Sequence, residues 1–362
     1  MAGDVRPLDP AQDRVVRFRE ATPAAIWADL DRDDDRAAMR DLARAMIGVA
    51  TASMTGKVAW RFVPAMLRAM GRTTHARYGA ESDHLARTYF AGQASEAQAA
   101  FLQAQYTHAH AIASACTASV VWDAGRETML HFRSLDWKTA AEIARATRRM
   151  AFRRADGTVA FRSAGIAGMV GVLSCVGRGF SAAINYAPWG WFGIGAGDDP
   201  TYLLRDLMQD DAVDSFAKAF AAIETWHPAA PVFITLCGIG PEEGAAFEFG
   251  FGPGKRMVCR TVTMPKRGFL VRSNHFDPES PFAARNVPQI LDPNADWDRH
   301  TMLSSSRRRR DMVEDDLARA HGSDLDAVLT RVYAQEPVWN RQTAQWVAMH
   351  PATGGMEIRV RT

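Results

Sequence analysis

Along the first part of the chain, apolar positions recur at helical spacing. Leu42, Met46 and Val49 fall at i, i+4 and i+7 behind an Asp-rich start suited to capping a helix. Over 58–70, Trp60, Val63, Leu67 and Met70 continue one stripe. Ser95 and Gln98 have the spacing of a capping box, opening a helix through Phe101, Leu102 and Tyr106. No strand alternation accompanies them, so residues 1–115 read as a helical segment. Beyond it the pattern becomes strand-rich. Residues 117–122 and 128–133 flank Asp-Ala-Gly at 123–125, which reads as a hairpin. Further strands are expected over 169–175, 180–187, 231–237, 245–251, 256–264 and 268–276, and a last hairpin joins 343–350 to 355–361. Helices are expected near 138–146, 211–226 and 307–320. Strands in adjacent runs with helices grouped between them predict an α+β fold of two packed antiparallel sheets covered by helices.

Composition narrows the class. The 362 residues, 47% hydrophobic and 23% charged, describe a globular chain with material for one large domain or two modest ones. A formal net charge of +2 provides no field for nucleic acid or an anionic membrane. Cys116, Cys175, Cys237 and Cys259 lack C-x-x-C spacing, which argues against a disulfide framework or structural zinc. The ten histidines carry no H-E-x-x-H, so neither metal nor cofactor is expected. The charged start has no apolar core of a signal peptide, and no uncharged run has the length of a membrane span. A cytoplasmic location is the expectation. The arginines at 307–310 look like a nucleic-acid patch until Asp311, Glu314, Asp315 and Asp316 are counted with them. Opposite charges on one helix read as a solvated face, with one arginine left for function and no nucleic-acid partner.

Cys116 stands where the helical part ends and the first strand begins. A cysteine there is by default a small buried hydrophobe. Breaking the peptide bond before it, however, would free an α-amine of pKa about 7.7–8.0 on the nucleophile's own residue, suited to act as its base.

The stretch Cys116-Thr-Ala-Ser-Val-Val, followed by His131-Phe-Arg133-Ser-Leu-Asp136, resembles the choloylglycine-hydrolase and acid-ceramidase superfamily, with its C-T-S-I-V and H-x-R-N-x-D motifs. That superfamily of Ntn-hydrolases also holds N-acylethanolamine acid amidase-like enzymes. Gly168-Met-Val-Gly-Val-Leu-Ser, Gly179-Phe-Ser-Ala-Ala-Ile-Asn185, Ala230-Pro-Val-Phe-Ile-Thr-Leu, Glu243-Gly244, Val271-Arg-Ser-Asn274 and Ser304-Ser-Ser-Arg307 follow in the superfamily's order over about 95–362. Ser134 stands where the superfamily usually has Asn, and Ala118 where it often has Ser.

The resemblance implies an αββα sandwich, with 1–115 as a propeptide or first subunit and 116–362 as the catalytic part after self-cleavage. It implies Cys116 as nucleophile, Arg133 beside its thiolate and Asp136 orienting the freed amine. Asn274 and Asn185 would donate to the oxyanion, and Arg307 would support the network from the late helix. Other readings stay open: Arg133 with Asp136 as a surface ion pair, Asn274 as a turn cap, and Asn185 outside the site. On a strand over 268–276, Asn274 and His275 would face opposite ways. His108 and His110 precede Cys116 closely enough to assist cleavage or simply to pack.

The aromatic, glycine-rich loop 186–194 follows Asn185 and reads either as core or as the wall of an apolar acyl pocket. The implied activity is hydrolysis of linear amides through a thioester, with apolar N-acyl amides as substrates and lipid as a peripheral contact. An acyltransferase with the same nucleophile, and a non-catalytic binding protein with the same fold, are the alternatives.

Overall fold

The computed structural model describes residues 5–362 apart from 10–11, 53–55, 59, 63–64, 66–77, 90–94, 96–97, 99–101, 104–114, 190–196, 287–301 and 321–323. The expected hairpin is β3 (Ala115–Asp123) and β4 (Thr128–Asp136). Asp123 Oδ1 accepts from the backbone N–H groups of Gly125 and Arg126 at 3.0 and 3.2 Å, the local bond that lets Asp open a tight turn.

That hairpin lies in a sheet ordered β1 (Val5–Pro7), β14 (Gly355–Arg361), β13 (Thr343–His350), β4, β3 and β12 (Phe269–Arg272). A second sheet runs β11 (Met257–Thr263), β10 (Gly244–Phe251), β9 (Val232–Cys237), β8 (Ser181–Tyr186), β7 (Ser174–Gly177), β6 (Val159–Ile166), β5 (Thr147–Arg153) and β2 (Arg14–Val16). Neighbouring strands are antiparallel except β2 and β5, which are parallel.

Alternation along the strands sorts side chains into layers. Val347 and Met349 meet Val176 and Ala183 between the sheets. On the outer side of the first sheet, Val121, Phe132, Val271 and Trp346 pack against α6 (Met302–Arg319) and α7 (Leu325–Tyr333). The second sheet's outer side buries Phe152, Ile184, Ile234 and Phe247 under α1 (Asp33–Ala50), α4 (Pro200–Gln209) and α5 (Phe216–Glu224). Helices α2 (Gly79–Tyr89) and α3 (Ala140–Ala146) add to the same core. The order is helix, sheet, sheet, helix. Among the described residues no helix is long and apolar enough to cross a membrane.

Four expectations need correction. The part before residue 115 is not helical throughout: β1 and β2 lie in it, one at an edge of each sheet. Strands of three residues are too short to carry a visible alternation. Residues 169–173 are bends and irregular chain rather than strand, after Gly168 at φ +84° breaks the extended run. β12 ends at Arg272, so Asn274 and His275 are not strand neighbours with opposed side chains. Strands β5 and β6 lie in a region where no strand was expected, because arginines interrupt their apolar face.

Candidate active site

Strand β3 passes through Ala115 and Cys116 without a break, Ala115 opposite Asp136 and Cys116 opposite Leu135. Cys116, Ala118 and Val120 therefore share the face turned to the second sheet, with Leu135, Arg133 and His131 across the ladder. Thr117 and Ser119 share the other face with Ser134 and Asp136. The two sides of the Cys116 residue thus meet different chemistry.

On the inter-sheet side, Arg133 Nη2 donates to Cys116 Sγ at 3.1 Å and to the Ile184 carbonyl of β8 at 2.9 Å. Both side chains are fully buried. Two residues back on β4, His131 joins the sheets through Ser181 Oγ at 3.0 Å and Thr235 Oγ1 at 2.9 Å. Burial pushes its pKa down to about 3, aided by Arg133, so it sits there as a neutral imidazole.

The main chain of Cys116 is held from elsewhere. Its N–H donates to Asn274 Oδ1 at 2.6 Å, and its carbonyl accepts from Arg309 Nη1 at 2.5 Å. Arg309 also donates to Thr117 Oγ1 at 2.8 Å and Asn274 Oδ1 at 2.9 Å, and lies 3.5 Å from Asp136 Oδ2. Asp136 further accepts from Thr343 Oγ1 at 2.8 Å and Asn340 Nδ2 at 3.3 Å. Burial raises the Asp136 pKa above the ordinary carboxylate value, with Arg309 and these two bonds opposing it.

Asn274 Nδ2 donates to the Tyr186 carbonyl at 2.8 Å, so both ends of the amide face complementary groups. Asn185 Nδ2 donates to the Arg272 carbonyl at 3.0 Å, tying β8 to the end of β12. Its Oδ1 has no hydrogen-bond partner among the described residues.

Cys116, Arg133, Asp136, Asn185 and Asn274 are thereby brought to one locus. Arg307 is not: it is exposed on α6, and the arginine that enters the site is Arg309. The helical phase decides this. Val313 and Leu317 face the core, and counting back four from Val313 reaches Arg309. Those two apolar positions were the available signal in a run of four otherwise equivalent arginines.

No family model matches the chain, and no curated protein matches it. Among solved structures it is similar to the Caenorhabditis elegans N-acylethanolamine-hydrolyzing acid amidase (NAAA) ortholog. Sequence identity is 19% and the TM-score 0.50, over 66% of this chain and 93% of that one. The fold is that of an Ntn-hydrolase. Within this Ntn-hydrolase fold, Cys116 lies on the strand next to the β12 edge of the first sheet and faces the second.

The remaining cysteines lie apart from this locus. Cys175 and Cys237 are buried and burial pushes their thiols up; Cys259, partly buried, is pushed up to about 11. Of the aromatic loop, Trp189 packs edge-on against Phe251, Phe276 and Phe282 with centroids 5.6–6.1 Å apart, while 190–196 lie outside the described residues. His108, His110, Val63, Leu67 and Met70 lie outside them too. The Ser95 capping box is present, Gln98 N donating to Ser95 Oγ at 3.3 Å and Ser95 N to Gln98 Oε1 at 3.0 Å.

Proposed function

We propose that this chain is a cysteine amidohydrolase that cuts itself between Ala115 and Cys116, then hydrolyses linear amides of long apolar acyl groups. The observation that carries the reading is the separate handling of one residue's two reactive atoms. Arg133 holds Cys116 Sγ at 3.1 Å, while Asn274 Oδ1 holds Cys116 N at 2.6 Å. A buried cysteine serving only as packing has no use for a guanidinium at its sulfur.

In the first step Sγ attacks the Ala115 carbonyl and the acyl group passes from nitrogen to sulfur. Water then hydrolyses the thioester, leaving residues 116–362 with a free amine on Cys116. In turnover that amine takes the thiol proton, with Asp136 and Asn274 orienting it and Arg133 meeting the sulfur as it becomes charged. Attack on a substrate carbonyl places negative charge on oxygen. An amide NH₂ carries two donors, so Asn274 Nδ2 has one to give there besides its bond to Tyr186, and Asn185 is the second candidate donor. The departing amine takes the proton, and water releases the acid from sulfur. Arg309, in place of Arg307, anchors the Cys116 carbonyl through these steps.

For the substrate, the supports are the name of the structural neighbour and the aromatic residues after Asn185. Each buried methylene contributes roughly 0.8 kcal/mol, so kcat/KM on a series of N-acylethanolamines is expected to rise with acyl length until the pocket is full. Mass spectrometry should find the acyl group on Cys116. Equal rates for acetyl and long-chain amides would rule out an apolar acyl pocket.

A further inference from the structure

Helix α6 grips the chain around Asn274 through a single turn. Ser306 Oγ accepts from the Asn274 backbone N–H at 2.7 Å and is bonded to His275 Nδ1, also at 2.7 Å. Three residues on, Arg309 reaches Asn274 Oδ1 at 2.9 Å. Ser306, Asn274 and His275 are all buried. Because β12 ends at Arg272, no sheet ladder fixes the main chain at 274. A hydroxyl that accepts from one group keeps its own hydrogen to give. His275 Nδ1 is the acceptor in reach, and burial keeps that imidazole neutral, its pKa pushed down to about 3.

We propose that Ser306 is a positioning residue whose hydroxyl, oriented by His275, fixes the Asn274 main chain and so keeps Asn274 Oδ1 on Cys116 N. The inference rests on the reading of Cys116 as the nucleophile. Ser306 touches neither Cys116 nor the acyl group in this scheme and acts through Asn274.

A residue acting only through another loses its effect once that other is gone. The test is a cycle of wild type, Ser306→Ala, Asn274→Ala and the double variant, reading both the rate of chain cutting and kcat. Ser306→Ala is expected to slow each by about tenfold, the worth of roughly one hydrogen bond, with KM nearly unchanged. In the Asn274→Ala background it should cost nothing further. His275→Phe keeps the ring and removes the acceptor; it should give a smaller loss that also vanishes in that background. Ser119→Ala is the matched control, deleting a buried hydroxyl 3.1 Å from Tyr333 OH and away from Asn274, and should retain wild-type rates.

Wild-type rates in Ser306→Ala, or losses that multiply in the double variant, would overturn the inference. Should Ser306→Ala fail to fold, the His275→Phe cycle decides by the same criterion. Cutting or turnover that survives Cys116→Ala would instead sink the nucleophile reading, and the assignment of Ser306 with it.

Discussion

At Cys116, three sources of polar groups converge on one residue. Arg133 comes from the paired strand, Asn274 from the chain beyond β12, and Arg309 from the helical layer. Arg133, Asp136 and Asn274 were legible because each belongs to a short motif fixed relative to Cys116 or to a strand end. Arg309 was not, because phase within the run 307–310 is set by Val313 and Leu317, which lie beyond it. The two arginines should therefore behave differently. Arg309→Ala leaves the buried Asp136 carboxylate without its guanidinium and is expected to cost about 3–5 kcal/mol. Arg307→Ala, on the solvated side, should stay within about 0.5 kcal/mol of wild type. Urea unfolding of both variants checks this, and the reverse order would return the site to Arg307.

The buried imidazoles predict a pH dependence of stability. His131 and His275 are each held at about 3 by burial, well below an ordinary imidazole. Between about 3 and 6.5 the unfolded chain then binds protons that the folded chain does not, so stability rises with pH there and is lost on acidification. Asp136 acts in the opposite sense. Its raised pKa means the folded chain keeps a proton longer, which lowers stability as pH climbs past the ordinary carboxylate value. Replacing His275 by Asn removes one titration. The slope of unfolding free energy between pH 4.5 and 6 should drop by about 1.4 kcal/mol per pH unit. Equal slopes in variant and wild type would contradict a neutral buried His275.

Among the elements, apolar runs bounded by turn residues were the readable ones: β3, β4, β8, β9, β10, β11, β13 and β14 lie where strands were expected. Helix α4 was missed although Asp199 caps it, accepting from Thr201 N at 2.9 Å, and Pro200 opens it. Strand β5 was missed for a different reason. Its Arg148 reads as a surface residue, yet it is buried against Asp35 of α1 at 2.6 Å, with Arg14 of β2 on the same carboxylate at 2.5 Å. Such pairing joins elements more than a hundred residues apart, and nothing in a local window reports it. Asp35→Ala should destabilise the protein by about 3–5 kcal/mol, since it withdraws the carboxylate that two buried guanidiniums share. A urea midpoint close to wild type would mean that α1 does not lock β2 to β5.

For the whole molecule, the described residues before Cys116 are part of the sandwich rather than an appendage. β1 and β2 each extend a sheet. Trp27 Nε1 donates to Glu81 Oε2 at 2.7 Å, and Arg205 Nη1 reaches the same oxygen at 2.8 Å from the part of the chain after Cys116. The two pieces that the proposed self-cleavage would leave should therefore co-elute on gel filtration without denaturant and separate only when denatured. Dissociation under native conditions would show that these contacts do not hold them.

The central claim is that Cys116 becomes an amino terminus by its own chemistry, and the intact mass of the purified protein tests it most directly. The account predicts two chains, the larger beginning at Cys116, whose masses sum to that of the full chain plus one water, and a Cys116→Ala variant that remains a single chain. A fully active wild-type protein of undivided mass, or a Cys116→Ala variant cut at the same bond, would contradict it.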